Sequence, residues 1–313
     1  MNKKLQFRSD HSFTIVQFTD LHWKTGSELD MRTRGLMEAV LLEEKPDLVV
    51  LTGDIIQSGR CEGKALDAFA DAVRVNEEHG IPWAAVYGNH DAEYKVTREE
   101  LMRVQMSFPL CLTERGPEYL PGLGNYVLTV AGSDGTECAA ALYMIDSLGE
   151  MVDGLLPYKG YDWIRPEQIQ WYRERSKELE QACGQKVPSL AFFHIPIPEY
   201  ETVWNHFPCY GTKECNICSP YVNSGLFAAM LERGDVIGTF VGHDHENDFW
   251  GDLFGIRLVY GKVTGYNTFN SHPYNGEHRG ARVIKLTEGS RQFETWIRMD
   301  TGERIDQDER HLP

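Results

Sequence analysis

Nowhere does the chain approach the ~18 consecutive apolar residues of a membrane span, and the two lysines near its start lead into no apolar stretch of the secretory kind. The expectation is a cytoplasmic protein with no membrane partner. Positive charge is also scarce: 31 lysines and arginines stand against 47 aspartates and glutamates, a net charge of −16. Phosphate backbones are held by a basic excess, so nucleic acid is not an expected partner. The seven cysteines are odd in number and scattered through 313 residues, which is not the framework of a small disulfide-stapled fold. Internal repeats and linkers rich in Gly, Pro or Ser are missing too. A chain of this length buries a sizeable core without cross-links, and it reads as one domain over 1–300. The last stretch, 301–313, is polar and is expected to fray.

What the chain does have is a series of short apolar runs rich in Val, Ile and Phe, the pattern of strands buried on both faces. They predict strands at Phe13–Phe18, Leu48–Thr52, Trp83–Tyr87, Tyr126–Val130, Ala139–Ile145, Leu190–Phe193, Val236–Val241, Ile256–Tyr260, Arg282–Leu286 and Phe293–Arg298. Helices are predicted at Met31–Glu44, Gly63–His79, Thr97–Phe108, Pro166–Gln181 and Ser224–Arg233. Alternation of strand and helix in the first half implies parallel strands with crossover helices. The later strands crowd together without helices, which implies an antiparallel closing portion. The class is α/β. Residues 200–222 and 262–280 read as long connections, of the kind that carry function or insertions.

Five segments share one layout, an apolar strand followed by side chains that bind metals. FTIVQFTDLH ends on Asp20 and His22, LVVLTGD on Asp54, WAAVYGNHD on Asn89, His90 and Asp91, LAFFH on His194, and GTFVGHDH on His243 and His245. Ligands of open α/β sheets gather beyond the carboxyl ends of strands, and here that position is filled five times by Asp, Asn or His. In extended chain, residues i and i+2 point to one side, so Asp20 can converge with His22, and His243 with His245. Gly53, Gly88 and Gly242 each precede such a residue, where a strand turns and backbone comes close to an ion. Mixed carboxylate, imidazole and amide-carbonyl donors suit Mn, Fe(II) or Zn. Singly, each piece also reads as a strand-end cap or a turn. Five in order do not.

A separate cluster, His206, Cys209, Cys215 and Cys218, places four soft ligands in thirteen residues. It reads either as a tetrahedral zinc site or as a cysteine-rich insertion.

The ordered set D-L-H, G-D, G-N-H-D, H and G-H-D-H, from Asp20 to His245, resembles that of the calcineurin-like metallophosphoesterase superfamily. The strings HIPIPEY, VNSGLFAAMLERGD, VGHDHENDF and VYGKVTGY resemble its purple acid phosphatase-related branch. The resemblance implies a four-layer αββα sandwich, two mixed β-sheets flanked by helices. It also implies two divalent metal ions bridged by Asp54. Asp20, His22 and His245 would complete the first site; Asn89, His194 and His243 would complete the second. A water or hydroxide between the ions would attack phosphorus, His90 would face the leaving-group oxygen, and Asp91 would orient the His90 ring. Gln57 stands where the purple enzymes carry a tyrosine and His22 where they carry a glycine, so the expected centre is non-purple and holds Mn, Fe or Zn.

Glu199, Asn223, Tyr266, Trp23 and Lys24 are further candidates for the pocket, Asp244 for support of the centre, and the basic stretch 279–282 for phosphate. The expected activity is hydrolysis of a phosphate monoester, small-molecule or protein-borne. A phosphodiesterase acting on cyclic nucleotides or phospholipid-derived diesters is the alternative, and a complete ligand set argues against a non-catalytic scaffold.

Overall fold

In the computed structural model, residues 4–135, 138–151, 155, 157, 159–268 and 278–313 are described. The predicted connection 262–280 therefore lies partly outside the described residues. The chain runs β1 (Ser12–Phe18), α1 (Glu28–Glu44), β2 (Leu48–Thr52), α2 (Ala65–Glu78), β3 (Trp83–Val86) and α3 (Arg98–Gln105). It continues β4 (Tyr126–Val130), β5 (Ala140–Met144), α4 (Pro166–Cys183), β6 (Ser189–Phe192), α5 (Glu199–His206), β7 (Cys209–Tyr210) and α6 (Leu226–Arg233). Then come β8 (Val236–Val241), β9 (Trp250–Leu253), β10 (Ile256–Tyr260), β11 (Gly280–Thr287), β12 (Phe293–Met299), β13 (Arg304–Ile305) and β14 (Arg310–His311).

Local chemistry sets the helix ends. Ser27 and Asp30 form a reciprocal capping box at the start of α1. Pro166 opens α4, and α4 and α6 stop where Gly184 and Gly234 adopt left-handed backbone.

The strands form two mixed sheets, one ordered β13-β12-β11-β1-β2-β3 and the other β14-β7-β9-β10-β8-β6-β5-β4. As expected from the alternation, β1, β2 and β3 run parallel, and β11 and β12 close that sheet antiparallel. Alternate side chains explain the layers. Phe13 and Ile15 of β1 join Leu142 and Met144 of β5 in a core between the sheets. Val16 and Phe18 turn the other way, against Leu36, Met37 and Phe69 of α1 and α2. Tyr143 and Ile145 turn outward onto Trp171 and Tyr172 of α4. The result is helix, sheet, sheet, helix.

Three expectations change. The stretch 200–222 is not one long connection, since it holds most of α5 and all of β7. Strand β9 was not anticipated because WGDL carries a glycine and an aspartate. The closing residues, expected to fray, pair with both sheets: β13 lies on β12 and β14 lies on β7. Between them Gln307 is buried and bonds the Asp248 carbonyl and carboxylate at 2.9 and 3.0 Å.

Gln307 also accepts from Arg282, a fully buried arginine on β11. Arg282 donates across the gap between the sheets to the carbonyls of Tyr260 (3.1 and 3.0 Å) and Asp248 (2.5 Å). This residue was a candidate phosphate contact, but it is spent on structure. Burial pulls its guanidinium down to about 10, with the nearby Asp248 charge opposing, so it stays charged at neutral pH. Arg282→Met takes the arginine donor from two buried acceptors, the Tyr260 carbonyl and Gln307 Oε1, each loss costing about 1–3 kcal/mol, while Gln307 still bonds the Asp248 carbonyl. Urea unfolding should show a loss of about 3 kcal/mol, and an unchanged midpoint would refute this inter-sheet role.

Candidate metal centre

Every member of the ligand set sits at the carboxyl end of a strand that is parallel to its neighbour. Asp20 and His22 follow β1, Asp54 follows β2, and Asn89 follows β3; His194 follows β6, and His243 and His245 follow β8. The first three strands belong to one sheet and the last two to the other. The centre therefore bridges the sandwich at one end.

Two groups form. Asp20, His22, Asp54 and His245 present ligand atoms within 4.8 Å of one another, and so do Asp54, His194 and His243. Asp54 is the shared member. Its Oδ2 lies 3.5 Å from His22 Nε2 in the first group and 3.2 Å from His194 Nε2 in the second. Its Oδ1 turns away and accepts the His90 backbone N–H at 2.8 Å.

Turns of unusual backbone aim these side chains. Asp20, His22, Asp54 and His243 all have left-handed φ, at 54°, 45°, 49° and 75°. Gly53 is left-handed as well (87°), and a Cβ there would lie 2.6 Å from His194 Nδ1. A Cβ on Gly242 would lie 2.0 Å from Thr19 Oγ1 and 2.5 Å from Asp20 Oδ2. The absence of a side chain at these positions lets the ligand loops touch.

The donor chemistry fits metal ions. His22 Nε2 and His245 Nε2 are 3.1 Å apart, where two lone pairs repel unless a proton or cation lies between them. His194 Nδ1 donates to the Thr52 carbonyl at 2.7 Å, which leaves Nε2 as its ligand atom. That Nε2 and Asn89 Oδ1 are buried and make no aligned hydrogen bond. Unpaired buried polar atoms cost free energy, and a cation would satisfy both.

Electrostatics agree. Burial pulls the His22 and His243 imidazoles down to about 3, so both are neutral, the form that binds a metal. Burial alone would raise Asp54, but His194 and then His22 outweigh it and hold the carboxyl well below its usual range. His194 goes the other way, to about 10: burial lowers it, and the Asp54 and Asp20 charges overcome that. A cation bound there displaces the proton.

His90 stands beside this centre, its ring centroid 5.2 Å from that of His22, and it is partly exposed. The expected partner for its ring was Asp91. Instead, Nδ1 bonds Glu93 Oε2 at 2.6 Å. Burial depresses the imidazole, but the Glu93 hydrogen bond and the Asp54 and Glu93 charges push it up to about 9. Asp91 is fully buried and accepts three backbone N–H groups: Gly88 at 2.7 Å, and Asp54 and Ile56 at 3.0 Å. It clamps the two ligand loops together and does not orient the ring. Burial and the Asp54 charge push its carboxyl up to about 7. Glu93 was legible as a carboxylate three residues after His90 but was overlooked. Tyr161, whose ring meets His243 edge-on at 4.5 Å, was also overlooked.

Most of the remaining candidates are engaged in contacts within the fold. Asp244 accepts from Tyr260 Oη at 2.6 Å and Cys218 N at 3.1 Å, bracing the turn between His243 and His245. Tyr266 donates to Asp300, Asn223 to Glu199, and Arg279 to the Gly265 carbonyl and Thr268. Trp23 is buried in the core between α1 and α2, and Lys24 lies at the rim of a groove along α2. Gln57 is buried on the loop after Asp54. His206, Cys209, Cys215 and Cys218 do not gather into a metal cluster. Cys209 points into the core toward the Val203 carbonyl, whereas His206 is exposed at the end of α5.

Comparison with known proteins gives the family and the fold. The model of the calcineurin-like phosphoesterase family matches residues 13–247. The "Probable inactive purple acid phosphatase 14" of Arabidopsis thaliana is 34% identical over 96% of this chain and 81% of its own length. "Phosphatase DCR2" of Saccharomyces cerevisiae is 30% identical over 95% of this chain and 55% of its own. Among solved structures, a dimetal phosphatase from Danio rerio aligns with a TM-score of 0.62 at 14% identity, over 96% of this chain and 98% of that one. At that identity the likeness speaks for the fold alone. The family match spans the whole ligand set from Asp20 to His245: the chain belongs to the calcineurin-like phosphoesterase family.

Proposed function

We propose that the protein is a dinuclear metal-dependent phosphatase that hydrolyses phosphate monoesters. The observation that carries this reading is the single carboxylate oxygen of Asp54 facing imidazole nitrogens of both ligand groups. Asp20, His22 and His245 would hold one ion, Asn89, His194 and His243 the other, and Asp54 both. Two divalent ions so held supply Lewis acidity toward the phosphoryl oxygens and a water acidified toward neutral pH. The chain's own residues do the rest. Glu93 fixes His90 Nδ1, so Nε2 is the nitrogen left to give a proton to the departing oxygen. Asp91 keeps the loops of Asp54 and Asn89 in register through three backbone bonds.

Relatives named as phosphatases support the monoester reading, and "inactive" in the name of one of them makes its test necessary. Gln57 supports a non-purple pair such as Mn, Fe(II) or Zn. The net charge of −16 supports a small or locally presented phosphate ester over a nucleic acid. Seven unpaired thiols support a cytoplasmic location, and no helix among the described residues is long and apolar enough to cross a membrane.

The deciding assay compares p-nitrophenyl phosphate with bis-p-nitrophenyl phosphate on metal-loaded protein. Monoester turnover should exceed diester turnover by at least tenfold. The reverse ratio would make the protein a diesterase, and a preparation that binds no metal and turns over neither would make it a scaffold.

A further inference from the structure

Beside the metal centre lies a cleft of about 610 Å³, lined by Asn89, Glu93, Tyr94, Arg98 and Glu150 among others. Its inner end carries Asn89, with its unpartnered Oδ1, and Glu93, the residue that holds His90. A leaving-group oxygen that faces His90 would thus have its organic body in this cleft, whose volume suits a small molecule.

The charges of the cleft are uneven. Among the described residues Arg98 is the one base in its lining, and its guanidinium is already used by the buried Asp146 carboxylate and by the Gly88 and Leu148 carbonyls. In the same lining, the Glu150 side chain is exposed and makes no hydrogen bond or ion pair among the described residues. Glu93 adds a second carboxylate, shared with His90. Tyr94 is half exposed, and its ring engages Lys95 Nζ 4.8 Å from the centroid, so a cationic ligand would take the place of that ammonium on the ring. A wall with two carboxylates, one of them unpartnered among the described residues, and an aromatic ring that exchanges one cation for another disfavours a second phosphate or carboxylate and favours positive charge.

We propose that this cleft receives the alcohol half of the ester and selects a cationic alcohol, of the choline or ethanolamine class, over an anionic or uncharged one. The proposal rests on the phosphatase reading for its biological sense, but the recognition itself can be measured without turnover.

The test is calorimetric titration of choline, and separately of glycerol, into metal-loaded protein. Choline should bind at least tenfold more tightly than glycerol. Glu150→Lys should abolish that margin and Glu150→Gln should reduce it, with metal content unchanged in both. Tyr94→Leu should weaken choline several-fold. Equal binding of the two alcohols, or choline binding indifferent to Glu150→Lys, overturns the proposal. A protein that binds choline selectively but fails the nitrophenyl assay would sink the phosphatase reading and keep this one. A phosphatase without the choline margin would do the opposite.

Discussion

Asp54→Ala should leave a folded protein that holds neither metal tightly and hydrolyses nothing at a measurable rate. One oxygen of this carboxylate faces both ligand groups, so its removal takes a donor from each ion and the negative charge from between them. Loss of a residue that merely supports a ligand typically costs 10–100-fold in affinity. A shared direct ligand should cost more than about 100-fold. Metal analysis after gel filtration checks this, with wild type expected near two equivalents and the variant well below one. Asp54 also accepts the His90 N–H through Oδ1, and alanine leaves that group unpaired. Asp54→Asn keeps an oxygen for it and removes only the charge. If Asp54→Asn retained two equivalents of metal and wild-type turnover, the bridging assignment would be wrong.

His90→Ala should separate chemistry from metal binding. The imidazole is held by Glu93 rather than by a ligand loop, so both ions should remain. General acid catalysis contributes about 10²–10⁴-fold, and that loss should appear on an alkyl phosphate, whose leaving oxygen needs a proton. It should be much smaller on p-nitrophenyl phosphate, whose phenolate leaves unaided. Equal losses on the two substrates would reduce His90 to a charge near the site, and full activity on the alkyl ester would remove it from the mechanism. Glu93→Gln should act more weakly, by about tenfold. Because Glu93 raises His90, its removal lowers the pH at which the acid is lost, so the alkaline limb of the rate profile should move to lower pH.

Much of this centre was legible in the sequence because it depends on local pattern. An apolar strand buried on both faces announces itself as a run, and the residue after the run marks the sheet's carboxyl edge. Asp20, Asp54, Asn89, His194 and His243 all followed from that rule. What the rule cannot convey is which side chain touches which once loops fold back. Asp91 follows His90 directly, yet its carboxylate serves backbone N–H groups from two loops, and Glu93 takes the ring. The same limit hid the order at the end of the chain. Gln307 is buried only because Arg282 and Asp248, 25 and 59 residues away, meet it there. Strands of two residues, such as β7 and β13, carry no periodicity to read. The cysteines near 209–218 showed the converse error: close spacing in sequence, with one thiol in the core and the histidine in solvent.

The left-handed backbone at Asp20, His22, Asp54 and His243 carries a consequence for how such a centre is kept over generations. Each L-residue in that conformation costs about 1 kcal/mol, and glycine would relieve the strain at every one of the four positions. Drift under selection for thermal robustness alone would therefore run toward glycine and would dismantle the centre ligand by ligand. A lineage that keeps all four as Asp and His is holding a local maximum of strain, and only continued use of what the four residues bind opposes that drift.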